Sequence, residues 1–277
     1  MNRLVDSLRR GRQERRLLMA GFLPTAYPDP VAFTRCIATG FQAGMDIAEI
    51  SLPNPPFPQD GALIQRACAV GRNHVSDAAA AVRLMSGART EAHQPIITMA
   101  GRHTFDTLGL AGLLDECVAH DVDAVMFPEH SPAEQRALIG PVRAAGLEQV
   151  TFLAHSTDCE VLAGDDVENP VVYLRSADLK TGDRFRTNET VERLAWLRTL
   201  LGGKDAYVFV GFGIRGPREV APLAASAGVD GVVVGTALVE AAAAGPHAVR
   251  DLVRAIGPSL ARPDSYAAPL CTSATVR

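Results

Sequence analysis

Two carboxylates, Glu49 and Asp60, flank a proline-laden turn in surroundings that predict unlike acidities. Glu49 sits inside the short apolar run of Ile47, Ile50 and Leu52, the kind that forms a fully buried strand. An ionised carboxylate left unpaired in such a medium costs several kcal/mol, so burial raises its pKa and makes it a proton donor near neutrality. Asp60 follows on a loop with Gly61 behind it, where a wetter setting leaves it ionised. An acid kept protonated beside a carboxylate kept charged is what acid/base chemistry requires. The same spacing also fits a strand-end Glu that caps a neighbouring helix and a turn Asp that starts one.

The elements that would hold this pair alternate along the chain. An amphipathic helix over 2–14 precedes a first strand, Leu17–Leu23, the loop Pro24–Pro30 and a helix over 31–43. The Glu49 strand is second, and its crossover holds two helical segments, Ala62–Val70 and, after Ser76-Asp77, Asp77–Met85. Further strands are predicted at Pro95–Met99, Val122–Phe127, Val150–Ala154, Val171–Leu174, Tyr207–Val210 and Val229–Val234. Helices fall between them, including 108–121, Thr190–Leu201 and one opened by the capping box Ser131-Pro-Ala-Glu134. Eight short Val/Ile-rich strands alternating with helices mean parallel pairing buried on both faces. In 277 residues they predict a single (β/α)8 TIM barrel over 1–260 with an extra N-terminal helix, and a flexible tail over 261–277.

In such a barrel the carboxyl ends of the strands build the active site. Glu49 and Asp60 fall there, as do Gly211-Phe-Gly-Ile-Arg-Gly-Pro217 after strand seven and Gly235-Thr236 after strand eight. Glycines let backbone N–H groups crowd an anion and a helix N-terminus adds partial positive charge, so these loops predict a phosphate site. Read singly, they are only tight turns. His155, at the end of strand five, is the histidine placed to face the site.

Composition excludes several classes. A net charge of −4 argues against nucleic acid or an acidic membrane surface as partner. Five cysteines without a CxxC pair predict reduced thiols in a cytoplasm rather than a disulfide framework. No apolar run is long enough to span a bilayer, and the arginine pairs near the start precede an apolar stretch broken by Pro24 and Pro28, unlike a signal sequence. The histidines form no metal-ligand spacing and no dinucleotide fingerprint follows strand one, so neither a metal nor a cofactor is implied.

Over residues 4–256 the chain resembles the α subunit family of tryptophan synthase. The resemblance rests on Phe22-Leu-Pro-Thr-Ala-Tyr-Pro-Asp29, Ala48-Glu-Ile-Ser-Leu-Pro53 with Asp60-Gly61, Val210-Gly-Phe-Gly-Ile214 and Val234-Gly-Thr-Ala-Leu238. It implies a lyase that splits indole-3-glycerol phosphate into indole and glyceraldehyde 3-phosphate by a retro-aldol step. Glu49 would move protons to indole C3 and from the glycerol hydroxyl, while Asp60 would hold the indole N1–H. Gly182, Gly213, Gly235 and Thr236 would take the phosphate, and Phe22, Phe127, Tyr173 and Phe212 would form the ring pocket.

The departures cluster on loops that the family turns toward its β subunit. Pro53-Asn-Pro-Pro-Phe-Pro58 lacks the family's acidic residue at Pro56, and Met99-Ala-Gly101 and Phe127-Pro-Glu-His130 are rewritten. The sixth loop keeps Thr181-Gly182 but not the usual residues before them. The resemblance therefore implies retained chemistry and a weak or absent β contact. Two other readings stay open: a paralogue with little activity that scaffolds another enzyme, and a different phosphate-binding barrel. A Schiff-base aldolase would need a strand lysine, and no predicted strand has one.

Overall fold

In the computed structural model, described for residues 2–155, 158, 162, 168–176 and 181–264, eight parallel strands close into a barrel in the order β1 to β8. They are β1 (Leu18–Pro24), β2 (Ile47–Ser51), β3 (Ile96–Met99), β4 (Ala124–Met126), β5 (Glu148–Leu153), β6 (Val171–Arg175), β7 (Tyr207–Gly211) and β8 (Gly231–Val234). Nearly every strand residue is buried, as the Val/Ile-rich runs require of a sheet covered on both faces. Around them lie α2 (Pro30–Ala43), α3 (Ala62–His74), α4 (Ala78–Ser86), α5 (Arg102–Ala119), α6 (Pro132–Ala144), α7 (Thr187–Leu201), α8 (Pro217–Ala225), α9 (Thr236–Ala244) and α10 (Pro246–Ile256), after an N-terminal α1 (Arg3–Gln13). Asp29, Asp77 and Ser131 cap α2, α4 and α6, and Ser131 with Glu134 forms the capping box read from the sequence.

The amino end of the barrel is closed by one repeated device. Asp46, Asp123 and Asp230 each stand one residue before an even-numbered strand. Each accepts the backbone N–H of a residue at the start of the preceding strand, from Met19, Ile96 and Val208 respectively, all at 2.8 Å. Each also pairs with an arginine of the N-terminal segment: Arg16, Arg3 and Arg12. The arginines thereby dock α1 under the barrel, and satisfy carboxylates that burial would otherwise penalise.

Three boundaries differ from the sequence reading. α5 begins at Arg102, not near 108; Gly109 has φ 68° and breaks the periodicity that marks the earlier turns. β4 is three residues long instead of six. The start of the expected loose tail is tied down: Ala261 bridges Arg16, and Arg262 donates to the carbonyls of Ala224 and Ser226. Residues 265–277 lie outside the described residues. No helix among the described residues is long and apolar enough to cross a membrane.

Candidate active site

A cavity opens at the carboxyl ends of the strands. Seven strands and the residue just after the remaining one contribute to its wall: Phe22, Glu49, Met99, Met126, Phe152 and Tyr173 from β1 to β6, Val233 from β8, and Phe212 just after β7. Parallel register aligns these positions, since Phe22 pairs with Glu49, Met99 with Met126, and Phe152 with Tyr173. Gly182, Gly213, Gly235 and Thr236 stand on the same wall, with Thr181, Gln59, Phe57 and Arg215.

Glu49 is 2% exposed, and its Oε2 is buried with no hydrogen-bond partner. Burial pushes its carboxyl up to about 8, so the group carries a proton at neutral pH and can give it to a molecule in the cavity. Asp60 is 5% exposed, which corrects the expectation of a wet loop carboxylate. Burial raises it to about 6, opposed by the N–H of Phe57, which donates to Oδ2 at 3.0 Å; the Asp60 N–H returns a bond to the Phe57 carbonyl at 2.9 Å. Asp60 remains the stronger acid of the two and is largely ionised at pH 7. Burial above all, with the negative charge of Asp60 and, once it ionises, of Glu49 added to it, holds the Tyr173 hydroxyl protonated well above the ordinary range.

Backbone geometry fixes the aromatic walls. A Cβ on Gly211 would stand 1.9 Å from the Tyr173 hydroxyl, so only glycine lets that ring lie across β7. Phe212 adopts φ 73°, an uncommon conformation for a residue with a Cβ, and its carbonyl accepts from the Ser176 hydroxyl at 2.9 Å. Its ring centroid lies 6.2 Å from those of both Phe152 and Tyr173.

Phe127 is not part of this wall, contrary to the sequence reading. Met126, the last residue of β4, lines the cavity, whereas Phe127, just past the strand, is fully buried with its ring centroid 5.2 Å from that of Phe105 and its ring also against His130. His155 is likewise outside the cavity and exposed, and Asp158 accepts its N–H at 2.8 Å and that of Ala154 at 2.9 Å. Met99, Met126, Phe152 and Phe57 were missed, although the first three end or nearly end a strand. Residues 177–180 of the sixth loop lie outside the described residues. Among the described residues no group of three or more His, Cys, Asp or Glu could hold a metal ion.

A closed parallel barrel whose cavity holds a buried protonated acid and an ionised one, with glycine loops at its last units, defines an acid/base enzyme of the (β/α)8 class. Residues 8–256 match the family model of the tryptophan synthase alpha chain. The tryptophan synthase alpha chain of Mycobacterium ulcerans (strain Agy99) is 30% identical over 259 residues, 90% of each chain. That of Prochlorococcus marinus (strain MIT 9313) is 29% identical over 243 residues, 87% of each. In fold, the chain superposes on a tryptophan synthase structure from Mycobacterium tuberculosis with a TM-score of 0.80 at 24% identity, covering 95% of this chain and 99% of that one. The chain belongs to the tryptophan synthase alpha chain family and is a carbon–carbon lyase of that type.

Proposed function

We propose that the protein cleaves indole-3-glycerol phosphate to indole and glyceraldehyde 3-phosphate, and does so without a partner subunit. The unpartnered, protonated carboxyl of Glu49 on the cavity wall carries this reading. Its proton goes to indole C3, which leaves the ring as an indolenine with positive charge at N1. Asp60, ionised and fixed by Phe57, accepts the N1–H and stabilises that charge as it develops. The Glu49 carboxylate then takes the proton of the glycerol hydroxyl next to C3. The C3–carbon bond breaks, its electron pair restores the aromatic ring, and the hydroxyl carbon leaves as the aldehyde. Phe22, Phe152, Tyr173 and Phe212 enclose the ring; Gly182, Gly213, Gly235 and Thr236 receive the phosphate.

Independence from a partner is supported by how the loop after β2 is held. Asn54 is buried, donates to the Leu52 carbonyl at 3.1 Å and accepts from the Thr104 hydroxyl at 2.8 Å. Phe57 is buried against the cavity, and Thr181 grips both Gln59 and Gly61. This chain alone supplies the contacts that seat Asp60. Purified protein incubated alone with indole-3-glycerol phosphate should release indole. A folded protein that binds this substrate and releases none would sink the reading and favour a scaffolding role.

A further inference from the structure

Among the described residues, three that line the cavity carry side chains of the acidic or basic types: Glu49, Asp60 and Arg215. Among the described lining residues Arg215 is the only lysine or arginine. A phosphate ester brings about −1.5 to −2 charges at neutral pH. The described glycines of these loops answer it with backbone dipoles, and the same cavity holds Asp60, which is itself negative.

The loop after β7 has limited means to help. The N–H groups of Arg215 and Gly216 already donate to Glu219, at 3.4 and 2.9 Å. Beyond Ile214, then, residue 215 can serve an anion only with its side chain. Its guanidinium Nη2 donates to Glu240, which lies one turn into α9 after Thr236. Side chains on a helix lean toward its N-terminus, so Glu240 holds the guanidinium over the turn that begins at Gly235-Thr236. The pair thus bridges the two loops whose glycines line the cavity. Both partners are nearly half exposed, at 45% and 46%. An ion pair so placed is weak and readily exchanged.

We propose that Arg215 is a specificity-determining residue that leaves Glu240 to grip the phosphate, making the enzyme select phosphorylated substrates. This deepens the reading of the glycine loops as a phosphate site and rests on it. The guanidinium supplies charge-assisted hydrogen bonds where the glycines offer only dipoles, and Glu240 parks it at the mouth between turnovers.

The test uses the full chain with indole-3-glycerol phosphate, its dephosphorylated counterpart and inorganic phosphate as a competitive inhibitor. Arg215→Ala should raise KM for the phosphate ester by about tenfold or more, with the larger part of the loss in KM. It should weaken phosphate inhibition in parallel and leave KM for the dephosphorylated substrate in place. Arg215→Lys should recover part of the loss. Arg218→Ala, which removes the same charge from the exposed face of α8, should change none of these. Wild-type preference for the ester together with an unchanged KM in Arg215→Ala would overturn the proposal and leave the phosphate site standing. Equal losses in Arg215→Ala and Arg218→Ala would reduce it to general surface charge and overturn it too. A wild type indifferent to the phosphate would remove the site and this proposal together.

Discussion

The amide of Gly61 donates to the hydroxyl of Thr181 across 2.6 Å, joining the loop after β2 to the loop after β6. The Thr181 N–H returns a bond to the Gln59 carbonyl at 3.1 Å. A Cβ on Gly61 would lie 2.0 Å from the Thr181 carbonyl oxygen, so only glycine permits the approach. Asp60 sits between the two bonded residues, and the latch therefore sets its position.

Thr181→Val keeps the shape of this side chain and removes the acceptor. It should lower kcat/KM by about tenfold, the scale of one lost hydrogen bond beside a charged group. Thr181→Ser should restore most of it. Normal steady-state kinetics in the valine variant would show that Asp60 is held without the latch.

Glu49→Gln should lower kcat by about a hundredfold or more while substrate still binds. The same change should stabilise the fold. Burial raises Glu49 from 4.5 to about 8, so between those values the folded protein holds a proton that the unfolded chain has released. Stability contributed at this site is therefore lost as pH rises through that window and stays lost above it. Thermal melts should show a higher Tm for the variant at pH 8, on the order of 1–3 kcal/mol of stabilisation, with the gap closing toward pH 4.5. A lower Tm for the variant at pH 8 would contradict the assigned cost.

The activity should peak between the two carboxyl values. Asp60 must be ionised to stabilise N1, so kcat/KM should fall as pH drops through about 6. Glu49 must carry its proton to begin, so activity should fall again as pH rises through about 8. Asp60→Asn should lose turnover more than binding, because the N1 charge grows toward the transition state. A profile flat from pH 5 to 9 would contradict both roles.

Phe152 and Phe127 should separate cleanly. Phe152 lines the cavity within a ring cluster, so Phe152→Leu should raise KM for the indole substrate several-fold. Phe127 packs behind the barrel wall on Phe105, so Phe127→Leu should cost about 1 kcal/mol of stability and leave KM in place. Reversed outcomes would return Phe127 to the ring pocket.

Much of this was legible in the chain because burial and charge conflict there. Glu49 stood out as a carboxylate in an apolar strand, and the Gly-Phe-Gly-Ile run marked the seventh unit. Phe127 was misplaced because a strand of three residues gives no period from which to read its facing direction. Met99, Met126 and Phe152 look like ordinary core until eight strands close and their ends converge. Asp60 read as wet because Phe57 and Gly61–Thr181, which exclude water from it, are non-local or local to a turn that proline obscures. The three aspartates under the barrel needed register as well as sequence, since each bonds an N–H of the neighbouring strand.

Pro53, Pro55, Pro56 and Pro58 each fix φ near about −65° and bias the preceding residue to extended geometry, so the loop is stiff before anything binds. Asn54 and Phe57 are already buried in their own chain, and Asn54 is tied to Thr104 at the start of α5. A loop in this condition loses little entropy when it closes over substrate and gains little from a partner that would order it. The tryptophan synthase β subunit from the same organism should therefore bind weakly or not at all and change indole release by less than about threefold. The competing account is that a β partner has adapted to the proline loop and engages it as it stands. Turnover measured with and without that subunit decides between them. A rise of about tenfold, or roughly 1.4 kcal/mol of barrier, would show that the loop still answers to a partner despite the contacts that pin it.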